Sequence, residues 1–224
     1  MDIYVRPGDS FWYYSQLFRI PLQLIIDSNR NINPQTIQQG QLIQIPAYVA
    51  QNYQIKSGDS LWSIAMSRNL PLDTLFLINP TLNPNRLQIG QTIQVPLRIT
   101  WRLVNGKQNY DYEVMMNDIQ RLQTVYPFLQ VSSIGNSVLN RSIPEVLIGI
   151  GDKRVTYNGS FHANEWITTP TIMTFLNDYA LSLTNQTTIR GLITSPLYEQ
   201  TSLSIVPMVN PDGVNLVLNG PPEL

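Results

Sequence analysis

The chain has 224 residues, 43% of them hydrophobic and 13% charged, with a formal net charge of -1. That length suits two or three small domains and leaves no room for one large catalytic domain beside extra modules, while the scattered Lys and Arg offer no basic field, so nucleic acid is not an expected partner. Cysteine is absent and His162 is the single histidine, which excludes disulfides and thiolate metal sites and leaves His, Asp and Glu as the possible metal ligands.

Met1 to Ser10 lacks a basic start followed by an apolar run, and no stretch approaches the ~18 apolar residues of a membrane span. The expectation is therefore a chain without a Sec-type export signal and without a membrane span. A repeat with a constant offset of 50 residues follows: Gly8-Asp9-Ser10 recurs as Gly58-Asp59-Ser60, Trp12 as Trp62, Pro21-Leu22 as Pro71-Leu72, Asn29 as Asn79, Asn33-Pro34 as Asn83-Pro84, Gly40-Gln41 as Gly90-Gln91, and Ile45-Pro46 as Val95-Pro96. No gap is needed to keep this register, so the region arose by duplication.

Each copy reads as a βααβ unit. In the second, Tyr53 to Lys56 is a short strand, Ser57-Gly58-Asp59 a turn, and Ser60 the N-cap of a helix whose apolar residues are Leu61, Ile64 and Ala65. Pro71 opens a second helix with Leu72, Leu75, Phe76 and Ile78 as its apolar stripe, Asn79-Pro80 ends it, and Thr92 to Val95 is the closing strand. Trp12 and Trp62 are expected in the core. These residues resemble the LysM family, over residues 2–47 and 52–97. The resemblance implies binding of N-acetylglucosamine polymers such as peptidoglycan and chitin, in a shallow groove beside the first loop and the end of the second helix. Its groove candidates are Gly8, Asp9, Ser10, Phe11 and Asn29 in the first copy and Gly58, Asp59, Ser60, Leu61 and Asn79 in the second. Backbone amides of a Gly-rich turn would bond an acetamide carbonyl and a neighbouring apolar side chain would take its methyl group. The plain alternative is that Gly, Asp, Ser and Asn only make turns and cap helices.

From Pro96 to Asn109 the register ends and the pattern becomes mixed α/β. Glu113 to Tyr126 is an amphipathic helix stopped by Tyr126-Pro127, Ile143 to Ile150 and Arg154 to Phe161 are strands, Ile167 to Leu183 is a long helix and Leu203 to Val209 a further strand. Strands alternating with helices argue for a mainly parallel or mixed sheet. Asn210-Pro211-Asp212-Gly213 is a turn by composition. The chemistry-bearing segment is Phe161-His162-Ala163-Asn164-Glu165-Trp166, where a strand end followed by a helix start puts an imidazole and a carboxylate together at the carboxyl edge of a sheet. In isolation this spacing favours a structural His with a helix-capping Glu.

Tyr126-Pro127, Ile134-Gly135-Asn136-Ser137, Arg141-Ser142-Ile143, His162 to Trp166 and Asn210 to Gly213 occur in the order and spacing of the zinc carboxypeptidase family, which residues 105–224 resemble. His-Ala-Asn-Glu-Trp followed by Ile-Thr-Thr-Pro is most similar to its bacterial LysM-bearing endopeptidases, which cut γ-D-glutamyl-diamino acid bonds in peptidoglycan stem peptides. The resemblance implies Zn2+ as cofactor, with His162 and Glu165 as the first two ligands. Asn164 stands where animal carboxypeptidases have an arginine, which argues against simple C-terminal exopeptidase activity. The family's third ligand, a distal His, has no counterpart, and its substrate-binding Arg, Asn-Arg pair, Tyr and general-base Glu would all lie beyond Gly213.

The expected class is thus an α+β and α/β multidomain chain: two βααβ LysM modules and the N-terminal part of an α/β zinc carboxypeptidase-like domain with a mixed sheet. The expected function is a peptidoglycan-binding, zinc metallopeptidase-type cell-wall hydrolase, with little or no activity in these 224 residues because the site is incomplete and the chain ends in Gly220 to Leu224. The alternatives are a non-catalytic peptidoglycan- or chitin-binding protein with a structural peptidase remnant, and an unstable fragment with an uncovered sheet. The absent leader, with the resemblance, points to the cytoplasm of a sporulating cell or the spore, with action at the cell wall.

Overall fold

A computed structural model describes residues 1–221, so Pro222, Glu223 and Leu224 of the Gly220 to Leu224 ending lie outside the described residues. The chain separates into two units, one spanning Met1 to Ile99 and one beginning at Thr100.

The first unit holds both repeats. The first copy contains β1 (Asp2–Tyr4), α1 (Phe11–Phe18), α2 (Leu22–Asp27) and β2 (Leu42–Gln44). The second contains β3 (Tyr48–Gln54), α3 (Leu61–Met66), α4 (Asp73–Ile78) and β4 (Thr92–Arg98). In each copy the first and last strands pair antiparallel, with Ile3 opposite Ile43 and Tyr53 opposite Ile93. Gly8 and Gly58 reverse the chain after the first strand at φ 81° and 85°, a left-handed conformation that costs glycine nothing. Two residues on, the Ser10 and Ser60 hydroxyls accept the N–H of Tyr13 and Ser63 at 3.1 and 3.0 Å, caps worth about 1 kcal/mol each. Helical spacing then buries Phe11, Tyr14 and Phe18 in one copy and Leu61, Ile64 and Ala65 in the other.

Trp12 and Trp62 are not in these cores. They are 62% and 63% exposed, against 2% and 4% for Phe11 and Leu61. Each tryptophan follows the first inward residue of its helix and is rotated about 100° away from the buried stripe. The strand of the second copy also begins earlier than expected, at Tyr48 and not Tyr53. Tyr48 is buried, its hydroxyl donates to the Phe18 carbonyl at 2.9 Å, and Ile99 N–H donates to the Ala47 carbonyl at 2.8 Å. Tyr48, which lies between the expected modules at 2–47 and 52–97, is therefore core of the first one.

The second unit carries α5 (Tyr112–Val125), β5 (Gln130–Asn136), β6 (Ser142–Ile148), β7 (Lys153–Asn158), a 3-10 turn (Ala163–Glu165), α6 (Thr168–Asn185), a small hairpin of β8 (Thr188–Ile189) and β9 (Leu192–Ile193), α7 (Ser195–Gln200), β10 (Thr201–Val206) and α8 (Pro211–Asn219). Its main sheet has the order β5-β6-β10-β7, antiparallel except for the parallel β10 and β7 pair. The sheet is mixed, as the alternating pattern implied. α5 and α6 bury Met115, Ile119, Leu122, Met173, Leu176 and Ala180, and each fully buried apolar side chain of Leu size contributes roughly 1.5–3 kcal/mol. Two expectations change. Gln130–Asn136 is a strand, paired with β6 through a register shift between Ser133 and Gly135. Asn210 to Gly213 is the start of α8 and not a free turn, because Asn210 caps the Gly213 N–H at 2.9 Å and Pro211 supplies a first-turn residue that needs no donor.

Candidate functional site

β7 and β10 run parallel, so both chains leave the sheet at the same edge. After β7, the Gly159 carbonyl accepts Val209 N–H at 2.9 Å and the Ser160 carbonyl accepts Asn210 N–H at 3.0 Å. This ties the segment carrying His162 to the segment that starts α8. Ser160 is 1% exposed and holds φ 49°, a left-handed conformation unusual for a residue with a side chain. Neighbours fix it there. Its N–H donates to Thr168 Oγ1 at 2.7 Å, its hydroxyl pairs with Thr169 Oγ1 at 2.7 Å, and Thr169 Oγ1 donates to the Pro207 carbonyl at 2.6 Å. Thr168 in turn donates to the Glu165 carbonyl at 2.8 Å. A buried hydroxyl network of this kind is rigid when all its members are satisfied.

On that base the turn from His162 to Glu165 closes with Glu165 N–H on the His162 carbonyl at 3.1 Å. His162 Nδ1 lies 3.2 Å from Glu165 Oε1, and the two side chains are 70% and 50% exposed. One imidazole nitrogen and one carboxylate oxygen thus converge in the open. This donor pair suits two positions of a zinc ion. Among the described residues no group of three or more His, Cys, Asp or Glu side chains is gathered to hold a metal. α8 packs closely on this turn: a Cβ at Gly213 would stand 2.8 Å from the Ala163 Cβ. Asp212, beside it, accepts from Ser137, Leu139 N–H and Arg141 at 3.0, 2.9 and 3.0 Å. Burial pushes its carboxyl up, yet these three donors outweigh burial and hold it below its usual 3.8. Sequence reasoning named Asp212 only as part of a turn, and named neither Ser160, Thr168 nor Thr169 for a role. A serine and two threonines flanking the motif by a few residues were the available signal.

The glycan candidates stand differently. Asn29 is 3% exposed and spends its amide on the Ile25 and Gln44 carbonyls at 2.8 and 2.9 Å while accepting Gln44 N–H at 2.7 Å. Asn79 does the same with Leu75 and Gln94. These asparagines stitch the second helix of each copy to its last strand through both side-chain polar atoms. Phe11 and Leu61 are buried in the cores of their copies. Asp9 accepts from Arg6 and Tyr14, both at 2.8 Å, and Asp59 accepts from Tyr53 and Lys56 N–H at 2.8 and 2.7 Å. Ser10 and Ser60 are caps, and Gly8 and Gly58 are the exposed backbone at each turn. For the side chains, the plain reading of turns and caps describes the structure. No helix among the described residues is long and apolar enough to cross a membrane.

Comparison with known proteins finds relatives of both units. The LysM domain family matches residues 3–46 and 53–96, and the zinc carboxypeptidase family matches residues 115–221. The chain is 78% identical over 222 residues to gamma-D-glutamyl-L-diamino acid endopeptidase 1 of Lysinibacillus sphaericus, covering 99% of this chain and 56% of that protein. It is 41% identical over 127 residues to the uncharacterized protein YqgT of Bacillus subtilis (strain 168), covering 55% of this chain and 34% of that one. The chain thus spans about half, or less, of the length of these relatives. Among solved structures, the LysM domain of Volvox carteri chitinase is 43% identical, covering 22% of this chain and 100% of that domain with a TM-score of 0.21. This chain therefore carries two LysM domains, at residues 3–46 and 53–96, followed at 115–221 by a domain of the zinc carboxypeptidase family.

Proposed function

We propose that this chain grips N-acetylglucosamine-containing wall glycan through its LysM pair and carries the His162 and Glu165 part of a zinc peptidase site directed at γ-D-glutamyl-diamino acid bonds of peptidoglycan stem peptides. The observation that carries the reading is the convergence of His162 Nδ1 and Glu165 Oε1, 3.2 Å apart, at the carboxyl edge of the parallel strand pair. When bound, zinc supplies a Lewis acid that polarises the scissile carbonyl. The chain's own residues would hold it at two positions. His162 would offer an imidazole nitrogen and Glu165 a carboxylate oxygen, and Ser160, Thr168 and Thr169 keep both on one rigid turn. Anchoring to glycan raises the local concentration of stem peptide near that turn.

Two donors hold zinc less tightly than three. Titration of the purified chain with zinc against a competing chelator should show weak binding that His162→Ala removes. With a γ-D-glutamyl-diaminopimelate peptide, turnover should stay near background. Clear turnover abolished by His162→Ala would mean that a third ligand comes from beyond the described residues. The gathering of no third metal donor among them favours a second reading, a wall-binding protein in which the peptidase-family domain is structural. Under it the chain pellets with insoluble peptidoglycan, and His162→Ala changes neither zinc uptake nor binding.

A further inference from the structure

The two LysM copies are joined at both ends of one helix, α1. At its start, Arg6 forks between the copies: Nε donates to Asp9 of its own turn at 2.8 Å, while Nη1 and Nη2 donate to Asp73 of the second copy at 3.0 and 2.5 Å. Tyr13, in the first turn of α1, donates its hydroxyl to the same carboxylate at 2.5 Å. At the other end, the β3 and β4 ribbon of the second copy takes over. It pairs from Gln54 and Thr92 as far as Tyr48 and Arg98, whereas β1 and β2 pair only from Asp2 to Tyr4. The added length reaches the first copy. The Tyr48 ring meets that of Phe18, the last residue of α1, edge-on at 5.2 Å, and the Tyr48 hydroxyl and Arg98 guanidinium donate to the Phe18 carbonyl at 2.9 and 3.3 Å. Arg98 also donates to the Arg19 carbonyl at 3.3 Å. These are carbonyls that a helix end leaves without intrahelical partners. Duplication alone does not produce such a joint: Arg6, Tyr13 and Phe18 correspond to Lys56, Ser63 and Arg68 in the second copy, and Asp73 to Gln23 in the first. The copies diverge at the residues that join them.

We infer that the LysM pair is a rigid two-site reader, in which attachments at the two ends of α1 hold the Gly8 and Gly58 turns in one arrangement, so that the chain favours a glycan polymer reaching both turns over an oligosaccharide that fills one. This rests on the reading of the LysM pair as glycan-binding. A single polar contact between modules leaves them free to swivel about it. Two contacts separated by the length of α1, about 12 Å at the helical rise, remove that freedom. The second attachment is set in packed structure, since Tyr48 and Ile99 are 1% and 3% exposed and Ile99 N–H closes on the Ala47 carbonyl. Binding a polymer across a fixed pair costs nothing for ordering a linker, so the gain over one site depends on how the polymer fits the two turns. Tethered modules adapt to many spacings, and locked ones present a single spacing.

The chain has no cysteine, so spin labels can be placed on the full chain at Gln16→Cys and Met66→Cys, exposed helical positions that correspond in the two copies. Pulsed electron paramagnetic resonance should give one narrow distance distribution, which Asp73→Ala combined with Arg98→Ala broadens. Binding is then read on two ligands without labels. The double variant should lose roughly 10-fold or more in affinity for insoluble peptidoglycan, the avidity of the pair, and keep its affinity for chitotriose, which also shows that its copies still fold. A broad distribution before substitution, an unchanged affinity of the double variant for peptidoglycan, or an equal loss on both ligands overturns the reader while leaving the LysM reading intact. Failure of the unsubstituted chain to bind either ligand overturns the LysM reading and the reader with it.

Discussion

The two units treat their motif residues in opposite ways. In the LysM unit, the polar side chains that mark the family are spent on the chain itself: Asn29, Asn79, Asp9, Asp59, Ser10 and Ser60 all bond to neighbouring residues of their own copy. In the second unit, His162 and Glu165 point into solvent, and the inward bonds belong to the unremarkable hydroxyls of Ser160, Thr168 and Thr169. A small βααβ unit has little core, so its polar residues are needed for folding. A larger mixed sheet with two long helices can leave a polar pair unspent at its edge. Recurrence of a polar residue in a motif therefore says where it is needed, and only its bonding says whether for fold or for chemistry.

The largest expected effect tests the inward and outward assignment in the LysM unit. Phe11→Ala should cost about 3–5 kcal/mol, the usual price of a large buried aromatic, whereas Trp12→Ala, one residue away, should change stability by about 0.5 kcal/mol or less. Urea denaturation of the full chain, read on the transition of the first unit, separates them. Equal losses would mean that Trp12 packs inward as the sequence reading had it.

How much was legible follows from the same residues. The constant repeat register, the Gly turns and the Ser caps are local signals, and they gave the LysM copies directly. The inward stripe of Leu61, Ile64 and Ala65 was also local, and Trp62 lies off it, so the tryptophan exposure was available from helical spacing and was passed over. Asn29 was not readable in this way, because its partner Gln44 is 15 residues away and only the folded register brings them together. The Arg6 to Asp73 pair spans 67 residues and leaves no trace beyond divergence between the copies. In the second unit, His162 and Glu165 were legible as spacing. β5 was missed because Gln130–Asn136 is polar and mostly exposed, with a break in its pairing.

A middle-sized effect addresses the support under His162. Thr169→Val keeps the shape of the side chain but takes the hydroxyl donor from the Pro207 carbonyl and leaves the Ser160 hydroxyl with only the longer contacts to the Glu165 and Trp166 carbonyls at 3.5 and 3.4 Å, at a cost of about 1–3 kcal/mol. If the network positions the pair, zinc affinity measured by chelator competition should fall by roughly 10-fold or more, the scale seen for residues behind metal ligands. The loss should appear at temperatures where circular dichroism shows the fold intact. Unchanged zinc affinity at reduced stability would assign the network to folding alone and erase the contrast with the LysM unit.

The smallest effect concerns the charge that joins the two LysM copies. The hydrogen bonds from Arg6, opposed by partial burial and aided by Tyr13, hold the Asp73 carboxyl below its usual 3.8. A carboxyl with a depressed value in the folded state stabilises the fold at all pH above its unfolded value and loses that contribution as pH falls through the folded one. The pair is half-exposed, so its worth at neutral pH is about 1 kcal/mol or less. Asp73→Asn should therefore be slightly less stable than the parent from pH 5 upward, and the two curves should converge as the pH drops below 3.8. Screening should narrow the gap at about 1 M salt, where the Debye length is roughly 3 Å. A difference that stays constant through acid and salt would show that Asp73 acts by shape and not by charge. The copies would then be held together by Tyr48 and its neighbours in the first core, with the Arg6 fork adding nothing to their union.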